Sequence, residues 1–146
     1  MTMLRCGIAD CLEKSDQFEE RYFAICNFLT SFTDSERLAC DSILGSISVD
    51  EADFERLPVL RSIYEIGEEI NVLVIRLIQD AVKSGFADEC LHPVPTGFVF
   101  WSSICSLISV SSRKEKYFRK SLNISRDDFL KYGFSLLLNS IRKKGV

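Results

Sequence analysis

From Ala87 to Phe118 the chain reads ADECLHPVPTGFVFWSSICSLISVSSRKEKYF, and the fold turns on what this stretch is. Between Cys90 and Ser112 no residue carries formal charge at neutral pH. A run of about twenty such residues is long enough to cross a bilayer. Two prolines, one glycine and six serines between Pro93 and Ser112 lower its hydropathy below that of a lipid-facing helix. The expectation is therefore a helix buried in protein, with no membrane partner. It should begin near Pro95 and run at least to Val110, with RKEKYFRK extending it to about Lys120.

At about 100° per residue this helix has two unlike sides. Phe98, Phe100, Trp101, Ile104, Cys105, Leu107 and Ile108 occupy a broad apolar arc. Ser102, Ser106 and Ser109 line the other side, with Val99, Val110 and Ser103 beside them. A surface helix normally offers one charged face to solvent. Here neither side is charged, so both should be covered, and small serines let a neighbouring helix approach closely.

Working outward, periodicity reads as helix almost everywhere. Met3, Leu4, Ile8, Cys11 and Leu12 suit a short first helix that Gly7 weakens. Phe18, Tyr22, Ile25, Cys26, Leu29 and Phe32 share a face of a helix over about 16 to 32, with Asp16 and Glu19 at its start. A shorter helix starting at Thr33 or Asp34 carries Leu38, Ile43 and Leu44 and stops at Gly45. SISVDEADFERL has no clear period and reads as a loop with at most a helical turn. Pro58 opens a long helix on which Leu60, Ile63, Gly67, Ile70, Val74, Leu77 and Ala81 alternate at steps of three and four; Gly85 stops it. Ser125 and Asp128 cap a last helix ending near Lys143.

That last helix also has an apolar arc wider than one contact requires. Phe129, Gly133, Leu136 and Ser140 lie on one flank, Leu130, Phe134 and Ile141 on the other, and Leu137 between them. Two helices with surplus apolar face imply either that the earlier helices wrap both sides or that a second copy covers one. The second is preferred, with Ser102, Ser106, Ser109, Phe129, Gly133, Leu136, Leu137 and Ser140 as the dimer contact. On the long helix, Tyr64, Gly67 and Asn71 interrupt the apolar arc. Asn71 is either satisfied by backbone or water or faces a cavity that a ligand fills. Phe98, Trp101 and Cys105, with Tyr22 and Cys26, are the candidate walls of such a pocket.

The 146 residues suit one domain, 1–146, and 47% hydrophobic with 27% charged residues is globular composition. A net charge of −3 gives no general drive toward nucleic acid. Six cysteines form no C-x-x-C pair, and reduced thiols of a cytoplasmic protein are expected. No signal peptide is visible at the N-terminus. His92, the sole histidine, has no ligand spacing around it, so no metal and no cofactor is expected. Glu65, Glu68 and Glu69 point away from the apolar face and read as solvated. No phosphate loop or nucleophile elbow is present, and an enzyme is not expected. In RKEKYFRK, Tyr117 would anchor while Arg113, Lys116 and Lys120 project, a solvated basic face that could touch phosphate.

Taken in order, IRLIQDAVKSGFADECLHPVPTGFVFWSSICSLISV (75–110) and NISRDDFLKYGFSLLLNSIRKKG (123–145) resemble the sensor half of tetracycline-repressor-family transcriptional regulators. In that family a long helix ends in a turn that opens on Gly-Phe/Ile and reaches a proline several residues later. A helix of Trp, small and Leu/Ile character follows, then a closing helix of Ser-x-Asp/Glu-x-Phe/Leu pattern. The likeness covers about 75 to 143, and the rest only by helix count. It implies an all-α antiparallel bundle of about five or six helices, with the last two pairing across a four-helix homodimer contact. It also implies a small apolar or aromatic effector near Tyr64, Asn71, Phe98 and Trp101, whose binding is coupled to DNA release. Residues 1–15 would be the remnant of a connecting helix. The family's helix-turn-helix head has no counterpart in this sequence, so any DNA contact would be made by residues outside it. A freestanding interaction protein that pairs with a full-length regulator is the alternative.

Overall fold

A computed structural model describes residues 1–37 and 51–145. The fold is all-α. Among the described residues seven helices follow in order: α1 Thr2–Glu13, α2 Phe18–Ser35, α3 Glu51–Arg56, α4 Pro58–Lys83, α5 Pro93–Arg113, α6 Glu115–Ser121 and α7 Arg126–Ile141. Among the described residues an isolated antiparallel bridge joins Ala87 to Arg142. Leu38, Ile43, Leu44 and Gly45, expected on a short helix, lie outside the described residues. Its expected start does not hold, because Thr33 and Asp34 continue α2.

The faces of α1 and α2 are those that spacing predicts, except that Met3, read with the first helix, is 65% exposed. Leu4, Ile8, Cys11 and Leu12 are buried on α1, and Phe18, Tyr22, Ile25, Cys26, Leu29 and Phe32 on α2. Gly7 is required by packing: a Cβ there would lie 2.0 Å from the Phe28 ring tip, so the glycine lets α2 close on α1. On α4 the burial belongs to the second half, at Ile70, Val74, Leu77, Ile78 and Ala81. Leu60 and Ile63 are half-buried and Tyr64 is exposed. Gly85, at φ 76°, adopts the left-handed conformation that ends a helix at least cost.

Helix α5 starts two residues earlier than expected. Pro93 and Pro95 both fall in its first turn, where amide protons have no intrahelical acceptor and proline costs nothing. It stops at Arg113 instead of running on to Lys120, and α6 is a separate helix. There Phe118, not Tyr117, is the anchor: Phe118 is buried against Phe129 at a ring distance of 4.7 Å, and Tyr117 is 53% exposed. The Ser125 hydroxyl accepts the Asp128 amide at 3.0 Å, as the capping pair predicts. SISVDEADFERL ends in helix α3, where only a turn was expected.

Helix α5 occupies the middle of the core. Its most extensive contact is with α4, and it also packs on α7, α2 and α6. Phe100, Ile104, Cys105 and Ile108 form the buried face. The close approach of α4 and α5 depends on Gly97, where a Cβ would stand 3.3 Å from Ile75 Cγ1 and 3.4 Å from its Cα. Gly97→Leu should therefore push the two helices apart. An overpacking cost of about 1–3 kcal/mol is expected in urea denaturation, and a midpoint equal to the parent's would refute this contact.

Candidate dimer face and ligand site

The outer side of α5 is where the sequence left a surplus. Val94, Phe98, Val99 and Val110 are each between 39% and 58% exposed. Ser102 and Ser106 are exposed between them, and Ser109 is half-buried. On α7, Leu136 is 59% and Tyr132 70% exposed, Ser140 is exposed, and Phe129 and Leu137 are half-buried. These surfaces meet at an apolar groove of about 450 Å³ lined by Ser103, Ser106, Leu107, Val110, Phe129, Gly133, Leu136, Leu137 and Ser140. Six of the eight residues assigned to the dimer contact thus line one groove. Ser102 and Ser109 lie on the same helix outside its lining.

Gly133 is buried within this chain. A Cβ on it would meet Leu107 Cδ2 at 2.9 Å, so its first role is to seat α7 on α5. Leu107 was assigned to the core arc by periodicity. It lies at the seam, one turn from both Ser103 and Val110, and so contributes to the core and to the groove floor. Ser140 donates to the Leu137 carbonyl at 2.6 Å. Its hydroxyl is thus satisfied within its own helix, so covering it would leave no donor stranded. Among the described residues, α5 is the one helix long and apolar enough by composition to cross a membrane, with a mean hydropathy of 1.4 over its most apolar window.

The eight candidate ligand residues differ widely in exposure. Tyr22 and Cys26 are fully enclosed. The Tyr22 hydroxyl donates to the Phe134 carbonyl on α7 at 2.9 Å, and its ring meets Phe100 and Phe23 edge-on at 5.9 and 5.3 Å. Cys26 lies beside Tyr22, with Cys105 of α5 near enough to influence its charge. Burial pushes the Cys26 thiol up to about 12 and raises Tyr22 and Cys11 as well. All three side chains stay neutral in the core at ordinary pH.

Tyr64 is 47% exposed and packs on Phe54 of α3 at 5.4 Å, with Arg61 stacked over the Phe54 ring at 5.8 Å. Gly67 is half-buried with nothing within 4 Å of a Cβ position. Asn71 is half-buried and donates to Glu68 Oε1 at 3.2 Å on its own helix. Its partner is thus a side chain of its own helix, where backbone or water was expected. Phe98, expected on the buried arc, is 48% exposed, because Gly97 takes the close contact with α4 and turns its neighbour outward. Trp101 is half-buried and packs against the core cluster.

Other candidate chemistry stays at the surface. His92 is exposed and precedes α5, where its carbonyl accepts from the Thr96 hydroxyl at 2.7 Å. Among the described residues no three His, Cys, Asp or Glu side chains gather where they could hold a metal ion. No protein-family model matches the chain, and neither a search of curated proteins nor one of solved structures finds a match.

Cys6 and Cys90 are exposed, whereas Cys11, Cys26 and Cys105 are buried. A thiolate is the reactive form, so neutral, enclosed thiols should resist alkylation. Peptide mapping after brief treatment with iodoacetamide at neutral pH should find label on Cys6 and Cys90 and at least about tenfold less on the other three. Equal labelling of Cys26 would show that the Tyr22–Cys26–Cys105 region is open to solvent.

Proposed function

We propose that this chain is the dimerising, effector-sensing domain of a transcriptional regulator similar to the tetracycline-repressor family. In this reading α5 and α7 pair with their copies in a four-helix homodimer contact. A small apolar or aromatic effector binds among the other helices. DNA contact is made by a helix-turn-helix outside these 146 residues.

The observation that carries this reading is the uncharged face that α5 and α7 leave uncovered, continuous across the groove at Leu107 and Gly133. In a two-fold contact the same patch serves both copies, so residues on one helix pair must complement themselves. Small Ser102 and Ser106 against large Leu136 and Val110 meet that requirement, with small residues opposite bulky ones. Water on such a face is costly, and covering it recovers about 25 cal/mol for each Å² of apolar surface removed. An effector regulates only through different affinity for two arrangements of the dimer.

The alternative, an interaction protein that pairs with a full-length regulator and carries no effector, draws support from the candidate ligand residues. Tyr22, Cys26 and Cys105 are buried in the core, with the Tyr22 hydroxyl bonded to α7, whereas Tyr64 and Phe98 are exposed. Both readings use the same α5–α7 face and differ in the effector.

Native mass spectrometry at micromolar concentration should give twice the chain mass of 16.6 kDa. Ser106→Glu, which buries an unpaired carboxylate on each side of the contact, should weaken the dimer on the order of a hundredfold or more. A dimer unchanged by Ser106→Glu would sink the assigned face. For the effector, a screen of apolar aromatic compounds by thermal denaturation should yield a saturable shift. At a hundred times its Kd such a ligand adds about 2.7 kcal/mol of stability. A dimer that no such compound stabilises would move the chain to the effector-free alternative.

A further inference from the structure

The basic run that the dimer and the effector leave unused is displayed at one end of the molecule, where α5 gives way to α6 and α7. From Arg113 to Lys120 it holds five basic residues and one acidic residue, in a chain whose net charge is −3. The acidic one, Glu115, is engaged by Arg119 at 2.6 Å. Lys114, Lys116 and Lys120 are exposed, and Lys114 Nζ stands 5.8 Å over the Tyr117 ring.

Apolar side chains project from the same tip. Tyr117 is 53%, Leu122 47% and Ile124 40% exposed. Their positions are set by backbone: the Leu122 and Ile124 amides both donate to the Phe118 carbonyl, at 3.2 and 3.1 Å. Asn123 between them takes the left-handed conformation at φ 53°, which asparagine tolerates better than most residues. Phe118, clamped on Phe129, fixes the whole turn to the core. Two aliphatic side chains and a tyrosine are thus held outward beside three lysines.

The geometry points to an anionic lipid surface as the partner of this tip. Lysines near such a surface each add attraction. Aliphatic and tyrosine side chains need an apolar phase next to the anions, which the headgroup boundary supplies. A nucleic-acid backbone would satisfy the lysines and could stack on Tyr117, but it offers Leu122 and Ile124 nothing. This is peripheral contact by a corner of the bundle, with α5 remaining packed on α4 and α7, and it does not depend on the dimer or the effector.

The test is sedimentation of the full chain with vesicles of phosphatidylcholine containing phosphatidylserine, with vesicles of phosphatidylcholine alone, and a parallel titration with a duplex oligonucleotide. Retention on the anionic vesicles is expected, falling about tenfold or more on the neutral ones and as salt is raised. Lys116→Glu with Lys120→Glu, and separately Leu122→Ser with Ile124→Ser, should each weaken it by about tenfold or more. All four side chains are exposed, so the variants should keep the parent's circular dichroism. No retention on anionic vesicles, retention indifferent to either double substitution, or tighter binding to the duplex than to the vesicles would each overturn the assignment.

Discussion

The constraint on which the rest of the structure depends is the absence of charge on every side of α5. Water can be kept from such a helix only by packing, and packing needs more than one neighbour. Within the chain, α4, α2 and α7 close one side on Phe100, Ile104, Cys105 and Ile108. Each approach is permitted by a particular small residue. Gly97 admits Ile75 of α4, and Gly133 admits Leu107 beneath α7. The other side, with Val99, Ser102, Ser106 and Val110, is exposed among the described residues.

Polar groups are confined to two roles around this apolar centre. Within the core, the Tyr22 hydroxyl finds the Phe134 carbonyl and so ties α2 to α7 across a separation of 112 residues in sequence. A buried hydroxyl without that acceptor would cost about 1–3 kcal/mol, more than a made bond contributes. The contact therefore specifies arrangement more than it adds stability. At the ends, ion pairs fasten helices that the apolar faces only align. Arg126 grips both oxygens of Asp34 at 2.8 and 2.9 Å and donates to Ser111 and Ser112, joining α2, α5 and α7. The Asp34 bond raises the Arg126 affinity for its proton. At the opposite end Arg142 pairs with Glu19 and lies over Phe86 at 4.5 Å.

Much of this fold was legible because burial follows helical period. All six positions read on α2 are buried, and on α4 the alternating stripe locates the covered half at Ile70, Val74, Leu77 and Ala81. Local chemistry was legible where it is short-range, as at the Ser125 cap and the Gly85 stop. Boundaries and anchors failed where tertiary contacts decide. The run through Lys120 has continuous helical character, yet the helix restarts at Glu115 and buries Phe118, because the Phe129 ring is there to receive it. Spacing cannot distinguish Tyr117 from Phe118 without knowing where α7 lies.

The candidate ligand residues show the same limit from the other direction. Tyr22, Cys26, Tyr64, Asn71, Phe98 and Trp101 were joined by type, as aromatic or polar groups on apolar faces, and that criterion selects two unlike populations. One is the core polar group that a fold must satisfy internally, as the Tyr22 hydroxyl does through Phe134. The other is the partly exposed residue beside an incomplete wall, as at Tyr64 and Gly67, where a Cβ would meet nothing within 4 Å. In the proposed reading an effector would bind on the side of the second population, beside Tyr64 and Gly67 on the first half of α4, and the enclosed contacts of α2, α5 and α7 would pass a change in helix spacing to the proposed dimer face.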